Sequence, residues 1–143
     1  MEIHTGLRLS KSEVLSLLER FDDSSDAPLH ESLDFNQYSK KLSQYAYFVL
    51  ATENNKQIGF VAYYLNDENH FVYIPQVVVH KSARHKRVGH SMFMDLYKCI
   101  RINFLTLKLE VLKSNINARS FYEREGFVEI CEHNERLLLE KKL

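Results

Sequence analysis

The chain has 143 residues, 45% hydrophobic and 27% charged, which suits one soluble domain with a sizeable core. Its 19 basic and 19 acidic residues cancel to a formal net charge of +0, which argues against a general nucleic-acid or membrane-surface binder. Cys99 and Cys131 stand in no metal or redox spacing, the opening Met1-Glu2-Ile3-His4-Thr5 has no signal-peptide pattern, and no apolar run nears the roughly 20 residues of a membrane span, so a cytoplasmic protein with reduced thiols is expected.

Ile3 to Leu9 predicts a first strand, weakened by Gly6. Ser10 stands three residues before Glu13, the pattern of a capping box. Val14, Leu15, Leu17, Leu18 and Phe21 then recur at helical spacing, giving a helix from Ser10 to Phe21. Asp22 to Pro28 is loop by composition. A second helix is expected over Asp34 to Gln44, with Phe35, Tyr38 and Leu42 on one face. Strands follow over Tyr47–Ala51, Gln57–Leu65 and Phe71–Val79, separated by polar turns at Glu53–Lys56 and Asn66–Asn69. Two hairpin connections in succession make an antiparallel meander.

A helix then runs to about Arg101, with Met92, Phe93, Leu96, Tyr97 and Ile100 as its apolar stripe. Leu105, Leu107, Leu109 and Val111 alternate with Thr106, Lys108 and Glu110, the mark of a half-buried strand. Ser114 or Asn115 is the expected N-cap of a short helix reaching Glu125, with Gly126 as its stop. Phe127–Cys131 and Arg136–Glu140 are the last strands, a possible hairpin. The order β-α-α-β-β-β-α-β-α-β-β predicts a single α/β domain over residues 1–143: a mixed, mainly antiparallel sheet with helices on both faces.

Two segments carry chemistry. Between the Phe71–Val79 strand and the next helix lies His80-Lys81-Ser82-Ala83-Arg84-His85-Lys86-Arg87-Val88-Gly89. Unpaired amides and the positive end of the dipole meet a helix start, and the added basic side chains suit a phosphorylated ligand. A solvated charged loop is the plainer reading, since one glycine is a thin signal. The second segment is Asn115-Ile116-Asn117-Ala118-Arg119-Ser120-Phe121-Tyr122-Glu123-Arg124-Glu125-Gly126-Phe127, in which Ala118, Phe121 and Tyr122 share a helix face.

The second segment resembles the later motif of the GNAT superfamily of N-acetyltransferases. Val77-x-Val79 through Arg84-x-x-Arg87-x-Gly89 resembles that superfamily's acyl-CoA-binding motif, in the matching order. The resemblance implies an enzyme using acetyl-CoA as co-substrate and a small-molecule primary amine (amino sugar, polyamine or amino acid) as acceptor. It implies that backbone groups of Val77, Val78 and Val79 align the pantetheine arm. The amides of His85, Lys86, Arg87, Val88, Gly89 and His90, with Arg84, would hold the pyrophosphate. Asn115 and Ala118 would flank the arm, and Tyr122 would protonate the departing thiolate. No metal is implied. Arg87 departs from the pattern, because a glycine is usual there; it either strains the loop or adds a charged contact to phosphate.

No base is singled out. His80, His70, Glu31 and a water relay through Tyr63 or Tyr64 stay open, and His80 reads first as a surface residue. The acceptor is expected against the first two helices and the last hairpin, near His30, Glu31, Asp34, Tyr38 and Tyr45. Pro75 marks either a splay or a bulge. A non-catalytic acyl-CoA-binding regulatory domain and a peptide or protein N-acetyltransferase are the alternatives; nucleic acid and membrane are not expected partners, and monomer or homodimer both fit.

Overall fold

A computed structural model describes residues 1–25 and 27–143; Asp26, in the loop predicted over Asp22–Pro28, lies outside the described residues. The elements run β1 (Glu2–Leu7), α1 (Lys11–Phe21), α2 (Phe35–Tyr45), β2 (Tyr47–Glu53), β3 (Lys56–Asn66), β4 (Phe71–Val79), α3 (Val88–Ile100), β5 (Thr106–Leu112), α4 (Ile116–Arg124), β6 (Val128–His133) and β7 (Arg136–Lys142). This is the expected order. One-turn 3₁₀ segments at Leu29–Glu31 and Lys81–Ala83 were not expected.

The strands form one sheet in the order β1-β2-β3-β4-β5-β7-β6, with β4 and β5 parallel and every other neighbouring pair antiparallel. The turns say why the chain reverses. Asn54 and Asn55 between β2 and β3, and Asn134 and Glu135 between β6 and β7, have positive φ, as tight hairpin turns require. At the start of α1, Ser10 accepts the Glu13 amide at 3.2 Å and donates its own amide to Glu13 Oε1 at 2.9 Å, which is the predicted capping box.

Helices cover both faces. Val14, Leu17, Leu18 and Phe21 of α1 and Leu42 of α2 pack on Phe48, Leu50, Phe60 and Ala62. On the other face, Val88, Met92, Phe93, Leu96 and Ile100 of α3 join Tyr122 of α4 against Val72, Ile74, Leu107, Leu109, Leu137 and Leu139.

Some boundaries move. The first strand ends at Leu7, not Leu9, because Gly6 turns to φ +76 and the register slips between His4 and Leu7. Leu105 is exposed ahead of β5 rather than in its apolar row. Phe127 precedes β6: its ring is buried against α4 and its amide bonds the Tyr122 carbonyl.

The break at Pro75 positions the site. On β3, Ala62 pairs with Gln76 while Tyr64 pairs with Tyr73, so β4 carries an extra residue there. On the other edge, the ladder with β5 runs from Phe71↔Thr106 to Ile74↔Leu109 and stops. Bulge and splay therefore coincide. The bulge also switches side-chain parity: Val72 and Ile74 face α3 before it, Val77 and Val79 after it.

Candidate active site

The splay opens a cleft of about 1050 Å³ bounded by the end of β4, the loop from Ala83 to Arg87, the first turn of α3 and one side of α4. The first backbone bond of α3 is from the Ser91 amide to the Arg87 carbonyl, so the amides of Val88, Gly89 and His90 have no helical acceptor. No side chain caps this end. It is a site of free N–H groups and positive dipole, open to the cleft.

Arg87 is the N-cap residue and sits at φ 58, ψ 29, in the left-handed region; His85, two residues earlier, has φ 71. A glycine would adopt this backbone without strain, and an arginine does so at a cost of about 1–2 kcal/mol. Gly89, two positions on, has another reason to be glycine. A Cβ there would come within 2.9 Å of Phe121 Cζ, so α3 approaches α4 as closely as a bare backbone allows. Gly89→Ala is expected to push the Phe121 ring aside and to destabilise by about 1–3 kcal/mol, the usual cost of overpacking, read as a lower midpoint in thermal denaturation.

Across the cleft, Asn115 caps α4 by accepting the Ala118 amide at 3.2 Å. Tyr122, one turn on from Ala118, is 9% exposed. Its ring is fixed by edge-on contacts with Phe93, Phe121 and Phe127 at 5.3–6.2 Å between centroids. Its hydroxyl has no protein hydrogen-bond partner among the described residues, and Tyr122 lines the cleft. Burial raises its pKa well above the ordinary phenol value, so the hydroxyl stays protonated at neutral pH.

The Acetyltransferase (GNAT) family model matches residues 12–127. The chain belongs to this family. No curated protein matches the sequence. Among solved structures, the PaiA N-acetyltransferase of Thermoplasma acidophilum, in complex with coenzyme A, aligns over 100% of both chains with a TM-score of 0.79 at 18% identity. The ribosomal-protein-S18-alanine N-acetyltransferase of Escherichia coli aligns over 99% of this chain and 92% of its own, with a TM-score of 0.79 at 15% identity. At these identities the likeness concerns the fold, which is the GNAT fold.

Twelve of the thirteen residues expected at a cofactor site line the cleft of this GNAT chain: Val77, Val78, Val79, Arg84, His85, Arg87, Val88, Gly89, His90, Asn115, Ala118 and Tyr122. Lys86 does not; its ammonium lies 3.8 Å from Glu53, at the end of β2. The Arg84 guanidinium is also occupied, bonding the Ser24 carbonyl, while the Lys81 amide bonds Ser24 Oγ at 3.2 Å. Ser24 and Ser25 thereby join the cleft wall, as do Asn117, Ser120 and Arg124 of α4. Asn117, Ser120 and Arg124 were not singled out in the sequence, although their helical spacing is a signal that could have found them; the serines, distant in sequence, gave none.

The base candidates separate. His80 caps the 3₁₀ turn, accepting the Ser82 amide, and packs edge-on against Phe21; burial and then nearby Arg20 lower its pKa. It does not line the cleft. His70 and Glu31 lie in the β3–β4 turn and the α1–α2 connection, outside the cleft lining. Of the surface expected to face the acceptor, Asp34 is spent as the N-cap of α2 and His30 is paired with Asp22 at 2.7 Å. Tyr38 donates to Gln76 Oε1 at 3.2 Å, just past the bulge. A carboxylate overlooked in the sequence stands closer to the splay. Glu110 is the first β5 residue beyond the last rung with β4, exposed on the face opposite Leu109 and Val111. Its alternation in β5 had marked it only as an outward polar position.

Proposed function

We propose that this GNAT-family chain is an acetyl-CoA-dependent N-acetyltransferase whose acceptor is a primary amine of a small molecule. One observation carries the reading: a protonated, unpartnered tyrosine hydroxyl beside a splayed strand end and a row of free helix-start amides, all in one cleft. When bound, acetyl-CoA supplies an activated acetyl thioester. The α3 amides and Arg87 fit its pyrophosphate, and the unpaired edge of β4 from Gln76 to Val79 fits the amide-rich pantetheine arm. The amine adds to the thioester carbonyl carbon, the C–S bond breaks, and Tyr122 donates its proton to the leaving sulfur.

The amine reaches the carbonyl through the splay from the opposite face, where Glu110 is the carboxylate placed to take its proton. Glu110→Gln is expected to lower kcat/KM for the amine at least tenfold while acetyl-CoA affinity holds, read by steady-state kinetics beside calorimetric binding. The proposed activity is checked by thiol release from acetyl-CoA across a panel of amines. A non-catalytic acyl-CoA-binding domain would bind acetyl-CoA and release no thiol with any amine.

A further inference from the structure

The face of the sheet away from the cofactor cleft sets beside Glu110 a second charge that the proton transfer does not need. Leu137 and Leu139 of β7 are buried on the α3 side, so Arg136 and Leu138 project to the other side, as does Glu110 of β5. In the β5–β7 register Glu110 pairs with Leu138 and Leu112 with Arg136. Glu110 and Arg136 are therefore diagonal neighbours on one face, about 7–8 Å apart at the backbone. Both are exposed, and among the described residues neither forms an ion pair or a side-chain hydrogen bond.

Tyr73 lies between them and the bulge. It pairs with Lys108 across the β4–β5 ladder, two residues before Glu110, and both Glu110 and Arg136 act on its hydroxyl. Beside it, Tyr64 is its cross-strand partner on β3, and the Tyr64 hydroxyl is buried with no hydrogen-bond partner. Tyr38, bonded to Gln76, closes the cluster from α2. An unpaired carboxylate and an unpaired guanidinium on one face, with Tyr73 on the bulge side of Glu110, match a small molecule with an ammonium and a carboxylate a few ångströms apart.

We propose that the acceptor is a free α-amino acid, its amine received by Glu110 and its carboxylate by Arg136. The inference rests on the acetyltransferase reading above. It excludes polyamines, which have no carboxylate, and peptide N-termini, whose neighbouring carboxyl is an amide. No new bond chemistry is involved: the acetyl group passes to the amine, and Arg136 positions the substrate without exchanging a proton.

The test compares, on the intact chain, thiol release from acetyl-CoA with free amino acids, with the same amino acids as carboxamides, and with spermidine. Free amino acids are expected to exceed their amides at least tenfold in kcat/KM, mostly through KM. In Arg136→Gln this preference should shrink towards one, and Arg136→Lys should restore part of it. A merely structural role for Arg136 would lower both substrates alike and leave their ratio intact. Amides or spermidine used as well as free amino acids, or a ratio unmoved in Arg136→Gln, would overturn the inference and leave the acetyltransferase standing. No acetyl-CoA binding and no thiol release with any amine would instead overturn the acetyltransferase reading itself.

Discussion

Tyr122→Phe is expected to cut kcat by about 10²–10⁴-fold, the usual span for a lost general acid, while the acetyl-CoA dissociation constant stays within about twofold. The two halves of this expectation come from different observations. The ring sits among Phe93, Phe121 and Phe127, and phenylalanine fills the same space with the same edge-on contacts. The hydroxyl bonds no protein group among the described residues, so its loss leaves no buried partner unsatisfied and folding stability should move by less than about 0.5 kcal/mol. Burial raises the Tyr122 pKa, which fixes the sign of the pH dependence. The phenol stays protonated beyond about pH 10, where an ordinary phenol has half ionised, so wild-type kcat should show no alkaline fall from this group below that pH. The same shift makes the folded chain hold a proton that the unfolded chain releases there, so stability declines as pH rises past about 10. A Tyr122→Phe rate close to wild type would mean that the thiolate leaves unassisted or takes its proton elsewhere.

Local signals in the sequence held where short-range chemistry decides structure. The Ser10–Glu13 capping box, the Asn115 cap, the Gly126 stop at φ +96 and the asparagine turn at residues 54–55 are each settled within a few residues, and each was legible. The residues that line the cleft were legible through motif order, because one strand–loop–helix unit and one helix build most of it. What was not legible depends on which strands become neighbours. Glu110 and Arg136 lie far apart in the chain and become diagonal neighbours on one face because β7 inserts between β5 and β6. The partner of Arg84 is the Ser24 carbonyl, which carries no side-chain signature. Lys86 turns to Glu53, at the end of β2 and distant from it in sequence. Pro75 was readable as a bulge or a splay, and it is both because β4 has different partners on its two edges.

Arg87 is the position where folding and binding should pull in opposite directions. Its backbone is left-handed, which costs an arginine about 1–2 kcal/mol relative to glycine, while glycine gives back about 0.5–1 kcal/mol through the greater freedom of its unfolded chain. Glycine also serves nearly as well as a good N-cap. Arg87→Gly should therefore stabilise the protein by about 0.5–1 kcal/mol, visible as a rise in the thermal midpoint. The same change removes a guanidinium from the mouth of the helix-start amides. A hydrogen bond from a charged group to phosphate contributes about 1.5–3 kcal/mol, so acetyl-CoA affinity should fall roughly 10–100-fold and its salt dependence should weaken. Arg87→Met separates the two effects, since it removes the charge and keeps a side chain at the left-handed position. It should bind acetyl-CoA as weakly as Arg87→Gly and show no gain in stability. If Arg87→Gly instead binds acetyl-CoA as tightly as wild type or more tightly, the arginine is only a strained replacement for glycine, and the α3 amides hold the pyrophosphate without it.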